Sequence, residues 1–178
     1  MPSFDIVKKS KVENTFRNAT VLGKFDIPKT EEKIFKINGN IDLSNDWHIG
    51  LIYGTSGSGK TLIAKEIFKG NIIESYNWDN SKSIIDNFSK NLSMDEITTA
   101  LSSVGFNSIP SWLQPFNTLS NGQQFRATLA RAISENEIIC FDEFTSVVDR
   151  TVAKSVCVSL RKYIKRTGKK FIGISCHS

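Results

Sequence analysis

The sequence predicts a mixed α/β fold with a parallel core sheet flanked by helices, an N-terminal antiparallel β-subdomain and a short helical insert. Three apolar runs, WHIGLIY, EIICFDE and KKFIGISC, have the length of buried strands. Segments with helical spacing separate them, and such alternation implies parallel strands joined by right-handed crossovers. Partial two-residue alternation in TFRNATVLGKFDI and KIFKINGNIDL predicts antiparallel strands before the core.

The chain has 178 residues and 39% hydrophobic content, which is ordinary for one domain that buries a core. Neither an internal repeat nor a linker divides it. We expect the antiparallel β-subdomain at residues 12–45, the core at 46–75 and 119–178, and the reduced helical insert at 76–118.

Each expected helix has its own sequence signal. Apolar residues recur at helical spacing between Lys60 and Lys69, and a second helix is predicted from Gly122 to about Ser134. A third is predicted from Thr151 to about Arg166, where Gly168 follows as a stop. In the insert, SIIDNF and MDEITTALSSV have helix-like spacing, and Ser93 with Glu96 matches a capping box.

Composition excludes several classes of protein. The longest apolar runs are far shorter than the roughly 20 residues that span a bilayer, and the N-terminus lacks the pattern of a secretory signal. Cys140, Cys157 and Cys176 lack the spacing of metal or disulfide sites. We therefore expect a cytoplasmic protein with reduced thiols. The net charge of +5 permits a polyanionic partner, but the lysines are spread along the chain, so nucleic acid stays an open alternative.

The run GTSGSGKT matches the phosphate-binding pattern G-x-x-x-x-G-K-[ST] between a predicted strand and a predicted helix. The backbone N–H groups of a glycine-rich loop and the helix dipole both favour phosphate oxygens. Lys60 is expected to contact the β- and γ-phosphates, and Thr61 to offer its hydroxyl to Mg²⁺. The other expected nucleotide-binding residues of the loop are Gly54, Thr55, Ser56, Gly57, Ser58 and Gly59. The alternative is a flexible Gly/Ser turn that contains a lysine.

Polar residues follow the last two core strands at the edge where the phosphate loop is expected. Asp142 is suited to bind Mg²⁺, and Glu143 to polarise the water that attacks the γ-phosphate. His177 follows KKFIGISC and is expected beside the γ-phosphate. The alternatives are that the two carboxylates are solvated turn residues and that the histidine is a disordered terminal residue.

The combined motifs resemble the P-loop ATPase domain of the ATP-binding-cassette (ABC) superfamily. In the order of that family, GTSGSGKT resembles Walker A, LSNGQ the LSGGQ signature, IICFDE Walker B, SVVD the D-loop and CHS the switch histidine. WHIGLIYGTSGSGKT, LSSVGF, LSNGQQFRATLARA and FDEFTSVVDR are similar to a bacterial and phage group often joined to an acetyltransferase-like domain. The resemblance spans roughly residues 16–178.

This resemblance implies an enzyme that binds Mg²⁺-ATP and hydrolyses it in a nucleotide-sandwiched homodimer. The signature of one chain, with Ser120, Gly122 and Gln123, then contacts ATP held by the partner, as does Asp149 of the D-loop. Lys60, Glu143 and His177 are the implied catalytic residues. An acetyltransferase-like domain or another protein is an implied partner.

The sequence also departs from the family pattern. The Q-loop glutamine is missing, because Gln114 is too close to the signature, and Asp79 is the nearest polar candidate for a contact with Mg²⁺. The missing glutamine argues against the role of an ordinary transporter subunit. Phe25 is the expected adenine-stacking aromatic, with Phe16 second, although either fits a sheet core equally well. The family continues past His177, so we expect a C-terminally truncated chain.

Three other functions remain open. A small P-loop kinase fits the length, but LSNGQ and the adjacent carboxylates disfavour it because a kinase has no use for either. The second is an ATP-gated clamp on nucleic acid or on a protein complex, which the net positive charge of the chain permits. A binding module whose slow hydrolysis only times assembly is the third.

Overall fold

The computed structural model describes residues 2–28, 32–73, 75–144 and 149–176. The chain divides into two compact units, Met1–Ser44 and Asn45–Ser178. Within the described ranges, the strands are β1 Ser3–Ser10, β2 Lys33–Asn40, β3 Ile49–Tyr53, β4 Ile72–Ile73, β5 Ile138–Phe141 and β6 Lys170–Ser175. The α-helices are α1 Phe16–Lys24, α2 Lys60–Ile67, α3 Met94–Ser103, α4 Ile109–Trp112, α5 Asn121–Glu135 and α6 Arg150–Thr167.

In the first unit, β1 pairs antiparallel with β2, from Ser3 opposite Asn40 to Ser10 opposite Lys33. The expected strand in TFRNATVLGKFDI is wrong, because this segment forms α1. Thr15 caps the helix by accepting a hydrogen bond of 3.2 Å from the backbone N–H of Asn18. This cap and the hydrogen bonds of the helix outweigh the weak two-residue alternation. The missing strand partner lies upstream, in β1.

In the second unit, the core sheet is parallel with the strand order β3-β6-β5-β4. Strands β5 and β6 are buried, as predicted, except at the first residue of each strand. The prediction that β3 is buried on both faces is wrong, because Ile49, Leu51 and Tyr53 are 47%, 56% and 65% exposed. Strand β3 lies at the edge of this sheet, where fewer neighbours cover its alternate side chains.

The core helices form close to their predicted bounds. Gly168 ends α6 in a left-handed conformation with φ of 72°, which a residue without Cβ adopts at low cost. Helices α3, α5 and α6 pack with the sheet in one hydrophobic core. Its largest fully buried side chains include Leu101, Phe106, Leu129, Ile133, Ile139 and Ile164.

The insert contains α3 with the predicted capping box, because Ser93 and Glu96 bond each other's backbone N–H groups. The expected helix in SIIDNF shrinks to one 3-10 turn, Ile85–Asn87. There, the Asn87 amide donates to the Ser83 carbonyl at 2.9 Å, and such side-chain bonds compete with helix formation. No helix in the described ranges is long and apolar enough to cross a membrane.

Candidate functional site

The phosphate loop connects β3 to α2 through a backbone that only glycine adopts easily. Gly57 has φ of 77°, and Gly59, the residue that caps α2, has φ of 88°. A Cβ atom on Gly54 would stand 3.0 Å from the Ser58 hydroxyl. The glycines therefore permit both the turn and the close approach, and the free N–H groups of the first turn of α2 lie at the end of the loop.

The Lys60 ammonium is held against the loop itself. Its Nζ donates to the carbonyl oxygens of Gly54 and Thr55, at 2.8 Å each, and the residue is only 8% exposed. An ammonium with two neutral acceptors keeps donor capacity, because the group has three N–H bonds. The lysine is thus placed to bind an anion that enters the loop.

A hydroxyl and a carboxylate from two elements meet beside this lysine. The Thr61 Oγ1 atom, at the start of α2, donates to Oδ2 of Asp142, just after β5, at 2.9 Å. Both are hard oxygen ligands of the type that Mg²⁺ prefers. Across the described residues, His, Cys, Asp and Glu form no cluster of three that could hold a metal. The pair fits Mg²⁺ because this ion keeps several waters and also binds phosphate oxygens.

Glu143 follows Asp142 in a backbone conformation that is rare for a residue with a side chain. Its φ is 50°, and its N–H donates to Oδ1 of Asp142 at 2.8 Å. Such conformations cost roughly 1–3 kcal/mol and cluster at active sites. The hydrogen bond holds the turn and directs the two carboxylates to one cavity.

This phosphate cavity has a volume of about 320 Å³, within the usual range of ligand sites. It joins the loop, the end of β5 and the end of β6. Its lining residues are Ser56, Gly57, Gly59, Lys60, Thr61, Leu62, Asp142, Glu143, Ile174, Ser175 and Cys176. Sequence reasoning missed Ser175 and Cys176, although Ser175 ends the parallel strand beside β3 and Cys176 follows it. His177 lies outside the described residues.

Asp79 is not among the residues that line the phosphate cavity. Its carboxylate accepts from Ser81 at 2.6 Å and pairs with Lys82 at 2.7 Å. The hydrogen bond from Lys82, followed by those from Ser81, holds the pKa of Asp79 well below its usual range. The structure therefore does not bring Asp79 together with Thr61 and Asp142.

The region near Asp79 is fixed by an aromatic and ionic cluster that sequence reasoning also missed. The Arg131 guanidinium lies 4.5 Å from the centre of the Tyr76 ring and 5.0 Å from that of Trp78. Its Nε donates to Glu135 at 3.1 Å, and its Nη1 donates to the carbonyl of Asn77. The i,i+4 spacing of Arg131 and Glu135 on α5 is the only sequence signal for this cluster.

The start of α5 is a capping box, as its sequence indicates. Ser120 accepts from the N–H of Gln123 at 3.4 Å, and the Gln123 side chain accepts from the N–H of Ser120 at 3.0 Å. Gln123 also donates to Ser111 at 3.2 Å. Neither Ser120, Gly122 nor Gln123 lines the phosphate cavity of its own chain.

Two further predicted nucleotide contacts lie elsewhere. Asp149 caps α6 by accepting from the N–H groups of Thr151 and Val152, at 2.8 and 3.0 Å. Phe25 follows α1 in the first unit and is 65% exposed, and Phe16 begins that helix and is 88% exposed. The alternative that either phenylalanine belongs to a sheet core is wrong, since Phe16 begins a helix, Phe25 follows it, and both face solvent.

Comparisons with known proteins identify the fold. No family model matches the chain, and no curated protein matches its sequence. A dimeric post-hydrolysis structure of the ATP-binding cassette MJ0796, bound to ADP and Pi, matches with a TM-score of 0.60 and 19% identity, covering 83% of each chain. A dimeric structure of MJ0796, described as a bacterial ABC transporter cassette, gives 0.57 and 16%, covering 82% of each chain.

A bacterial Atm1-family ABC exporter with ATP bound matches with a TM-score of 0.58 and 17% identity. The match covers 82% of this chain and 31% of the exporter chain. Together these similarities confirm the predicted fold, that of an ABC-type P-loop ATPase domain.

Proposed function

We propose that the chain is an ABC-type ATPase that binds Mg²⁺-ATP and cleaves the bond between the β- and γ-phosphates. The observation that carries the proposal is the hydrogen bond of 2.9 Å between Thr61 and Asp142 in the cavity that also contains Lys60 and Glu143. This arrangement combines a phosphate loop, a pair of oxygen ligands and a carboxylate for a water molecule.

Binding of the phosphates falls to the loop and to Lys60. The N–H groups of residues 54–59 and the dipole of α2 attract the phosphate oxygens. The Lys60 ammonium can exchange its two carbonyl partners for oxygens of the β- and γ-phosphates. Thr61 and Asp142 would hold Mg²⁺, which neutralises negative charge on those phosphates when it is bound.

The chemical step needs a water molecule placed in line with the γ-phosphate. Glu143 is the proposed base, because its carboxylate lines the phosphate cavity beside Asp142. We assign His177 to a hydrogen bond with the transferring group, on the basis of its position after β6. Most of the rate enhancement then comes from positioning and charge stabilisation.

The proposed active form is an ATP-dependent homodimer. Ser120 is exposed at the start of α5. The backbone N–H groups at this helix start and the dipole of α5 suit an anion. Because this helix start does not line its own cavity, we assign Ser120, Gly122 and Gln123 to ATP held by the partner chain. We assign Asp149 to the same interface and Phe25 to adenine. The two MJ0796 structures are described as dimeric, which supports this assembly.

The proposed role is cytoplasmic and different from ordinary transport. The Asp79 carboxylate is engaged by Ser81 and Lys82, so nothing at this position replaces the Q-loop glutamine at the metal. A fused or separate acetyltransferase-like domain remains part of the proposal as a partner.

Replacement of the proposed base tests the chemistry. Glu143→Gln should lower ATP turnover roughly 10²- to 10⁴-fold, because the amide cannot accept the proton from water. ATP affinity should stay close to that of the parent, since the phosphate contacts are intact. Phosphate release and nucleotide binding measure the two effects.

Two controls accompany this experiment. Glu66→Gln makes the same chemical change on the exposed side of α2 and should keep full turnover. Lys60→Ala should remove nucleotide binding, whereas Lys69→Ala, at an exposed lysine just after the same helix, should not. Parent-like hydrolysis by the Glu143→Gln protein would show that another group is the base.

A further inference from the structure

A second, larger cavity lies in the second unit between α3 and α6, away from the phosphate loop. It is an open groove with a volume of about 470 Å³. Its lining consists of hydroxyl-bearing and cationic side chains: Thr98, Thr99, Ser102, Ser103, Ser159 and Tyr163, with Lys162 and Arg166. None of these residues takes part in the nucleotide site, so the groove is chemically unassigned.

Helix α6 and the residues just after it carry a local group of cations, two of which line this groove. Residues 150–170 contain eight Lys and Arg residues and no Asp or Glu. Lysines are spread along the whole chain, and within that distribution α6 carries a local excess of Lys and Arg. Arg161, Lys162, Lys165 and Arg166 are all exposed in the last two turns. Their i,i+4 spacing places them in two adjoining rows on one side of the helix.

Internal contacts leave most of this charge available. Lys169, just beyond the helix, pairs with Glu137 at 3.6 Å and donates to two carbonyls. Arg161, Lys162 and Lys165, in contrast, form no ion pair within the part of the chain that the structure describes. Arg166 lies 5.7 Å from the centre of the Tyr163 ring. Cations at a helix C-terminus also interact with the dipole, but that effect is confined to the last turn.

Besides the cations, the groove contains hydroxyl groups, which are the second kind of side chain that binds phosphate. Thr98 and Ser102 are one turn apart on α3, and Ser159 faces them from α6. Hydroxyl groups donate directional hydrogen bonds to phosphate oxygens, and Ser and Thr share this role with Lys and Arg at nucleic-acid backbones. The acidic residues Asp95 and Glu96 line a neighbouring recess together with Arg166. Because they would repel an anion, we expect the anionic ligand at the end of the groove that contains Ser102.

We propose that this groove, defined by α3 residues 98–103 and α6 residues 159–166, binds the phosphodiester backbone of a nucleic acid. The groove exposes no aromatic ring for base stacking, since its Tyr163 is buried, so binding is independent of base sequence. An anionic membrane is the less suitable partner. Membrane-surface helices present bulky apolar residues, and the basic face of α6 exposes Val158 as its large apolar residue.

The groove is separate from the proposed ATPase site. Asp149 caps the N-terminus of α6, whereas Lys162 lies 13 residues further along the helix. At 1.5 Å per residue, the groove is about 20 Å from that end. Nucleic-acid binding is therefore tested in the absence of ATP, and it does not rest on the proposed function.

The test is fluorescence anisotropy of the full chain with labelled single strands and duplexes of RNA and DNA. Binding should weaken as KCl rises from about 50 to 200 mM, because phosphate contacts release counterions. The double variant Lys162→Gln/Arg166→Gln should bind at least about tenfold more weakly at low salt. Its salt slope should fall by about 1.4 for single strands and 1.8 for duplexes, which corresponds to two lost contacts.

Matched variants separate the groove from general charge. Lys8→Gln/Lys36→Gln removes two exposed lysines from the first unit and should change affinity less than about twofold, since neither is at the groove. Ser102→Glu places a negative charge in the groove and should weaken binding as the cation variant does. Circular dichroism confirms that each variant is folded.

The outcomes decide the proposal. Binding of RNA or DNA that depends on the groove variants supports it, and the preferred polymer identifies the source of the backbone. Equal losses in the groove and control variants overturn it, because net charge alone then explains the affinity. Binding only to vesicles that contain phosphatidylserine, or to neither polymer, also overturns it.

Discussion

Lys60 illustrates how a single residue acquires function from its surroundings. The side chain is nearly buried, and its ammonium contacts two backbone carbonyls of the loop. Burial of a charge is costly unless the charge is paired. In the proposed complex a phosphate group would supply that pairing, so the same burial that disfavours the isolated lysine would strengthen its interaction with a nucleotide.

Cys176 provides a reporter of nucleotide binding at the residue scale. It is exposed and lines the phosphate cavity, so Mg²⁺-ATP should cover it. We expect Mg²⁺-ATP to slow its alkylation several-fold in the parent protein, but not in the Lys60→Ala variant. Mass spectrometry of the labelled peptides measures the rate.

The other thiols serve as internal controls for this measurement. Cys157 is exposed on α6 and should react at the same rate with and without ATP. Cys140 is buried, and burial with a smaller effect of Asp142 raises its pKa to about 12, so it should not react in the folded protein. An alkylation rate of Cys176 that is the same with and without saturating Mg²⁺-ATP would contradict the proposed location of the nucleotide in the phosphate cavity.

At the scale of elements, the start of α5 depends on the insert. Gln123 belongs to the capping box and also donates a hydrogen bond to Ser111 in α4. Arg126, one turn later, donates to the carbonyls of Gly122 and Gly105 at 3.0 Å each. The insert therefore fixes the direction of the helix start that we assign to the partner's nucleotide.

Helix α3 of the insert depends on its cap. Ser93→Ala should lower the free energy of unfolding by about 1 kcal/mol at pH 7, because it removes the hydrogen bond that the Ser93 hydroxyl accepts from the N–H of Glu96. Urea denaturation measures the change. Ser155→Ala, at an exposed position within α6, is the control and should be neutral or slightly stabilising.

The effect of this cap should depend on pH. Hydrogen bonds from the backbone and side chain of Ser93 lower the pKa of Glu96. A carboxylate whose pKa is lower in the folded state stabilises the protein above its unfolded pKa, about 4.3, and this contribution disappears as the pH falls through the folded value. Ser93→Ala keeps the backbone N–H and loses only the contribution of the hydroxyl, so the difference between parent and Ser93→Ala should shrink by that contribution below about pH 4. A difference that grew on acidification would contradict this origin.

At the scale of the whole molecule, the sheet order decides which residues share a site. Strand β6 lies between β3 and β5, so the residues that follow all three strands meet at one edge. The phosphate cavity and the groove between α3 and α6 lie in the same unit but share no lining residue. The proposed ATP site and the proposed nucleic-acid groove therefore do not overlap.

The assembly of two molecules is the prediction at this scale. With ATP, the Glu143→Gln protein should form a species of twice the 19.9 kDa mass of one chain. The reason is that ATP stays unhydrolysed in this variant and holds the two chains together. Light scattering measures the mass. Ser120→Arg in the same background should abolish the dimer, whereas Ser155→Arg should keep it. A dimer that forms equally without ATP would contradict the nucleotide-sandwiched arrangement.

The sequence by itself determined the fold class, the core helices and the chemistry of the phosphate loop. These depend on local signals: apolar runs of strand length, the capping box of Ser93 and the glycines before Lys60. Such signals act within a few residues, where backbone geometry and hydrogen bonding decide the conformation. The expected strand at Phe16 does not form, because its two-residue alternation is weak and Thr15 caps a helix there.

Only the tertiary structure decided which distant residues meet. It joined Thr61 to Asp142, brought Cys176 to the phosphate loop and placed Asp79 outside the cavity. It also brought the hydroxyls of α3 to the cations of α6, two segments that lie far apart in the sequence. The physical reason is that such contacts depend on strand order and helix packing, which sum many weak long-range interactions that no local pattern encodes.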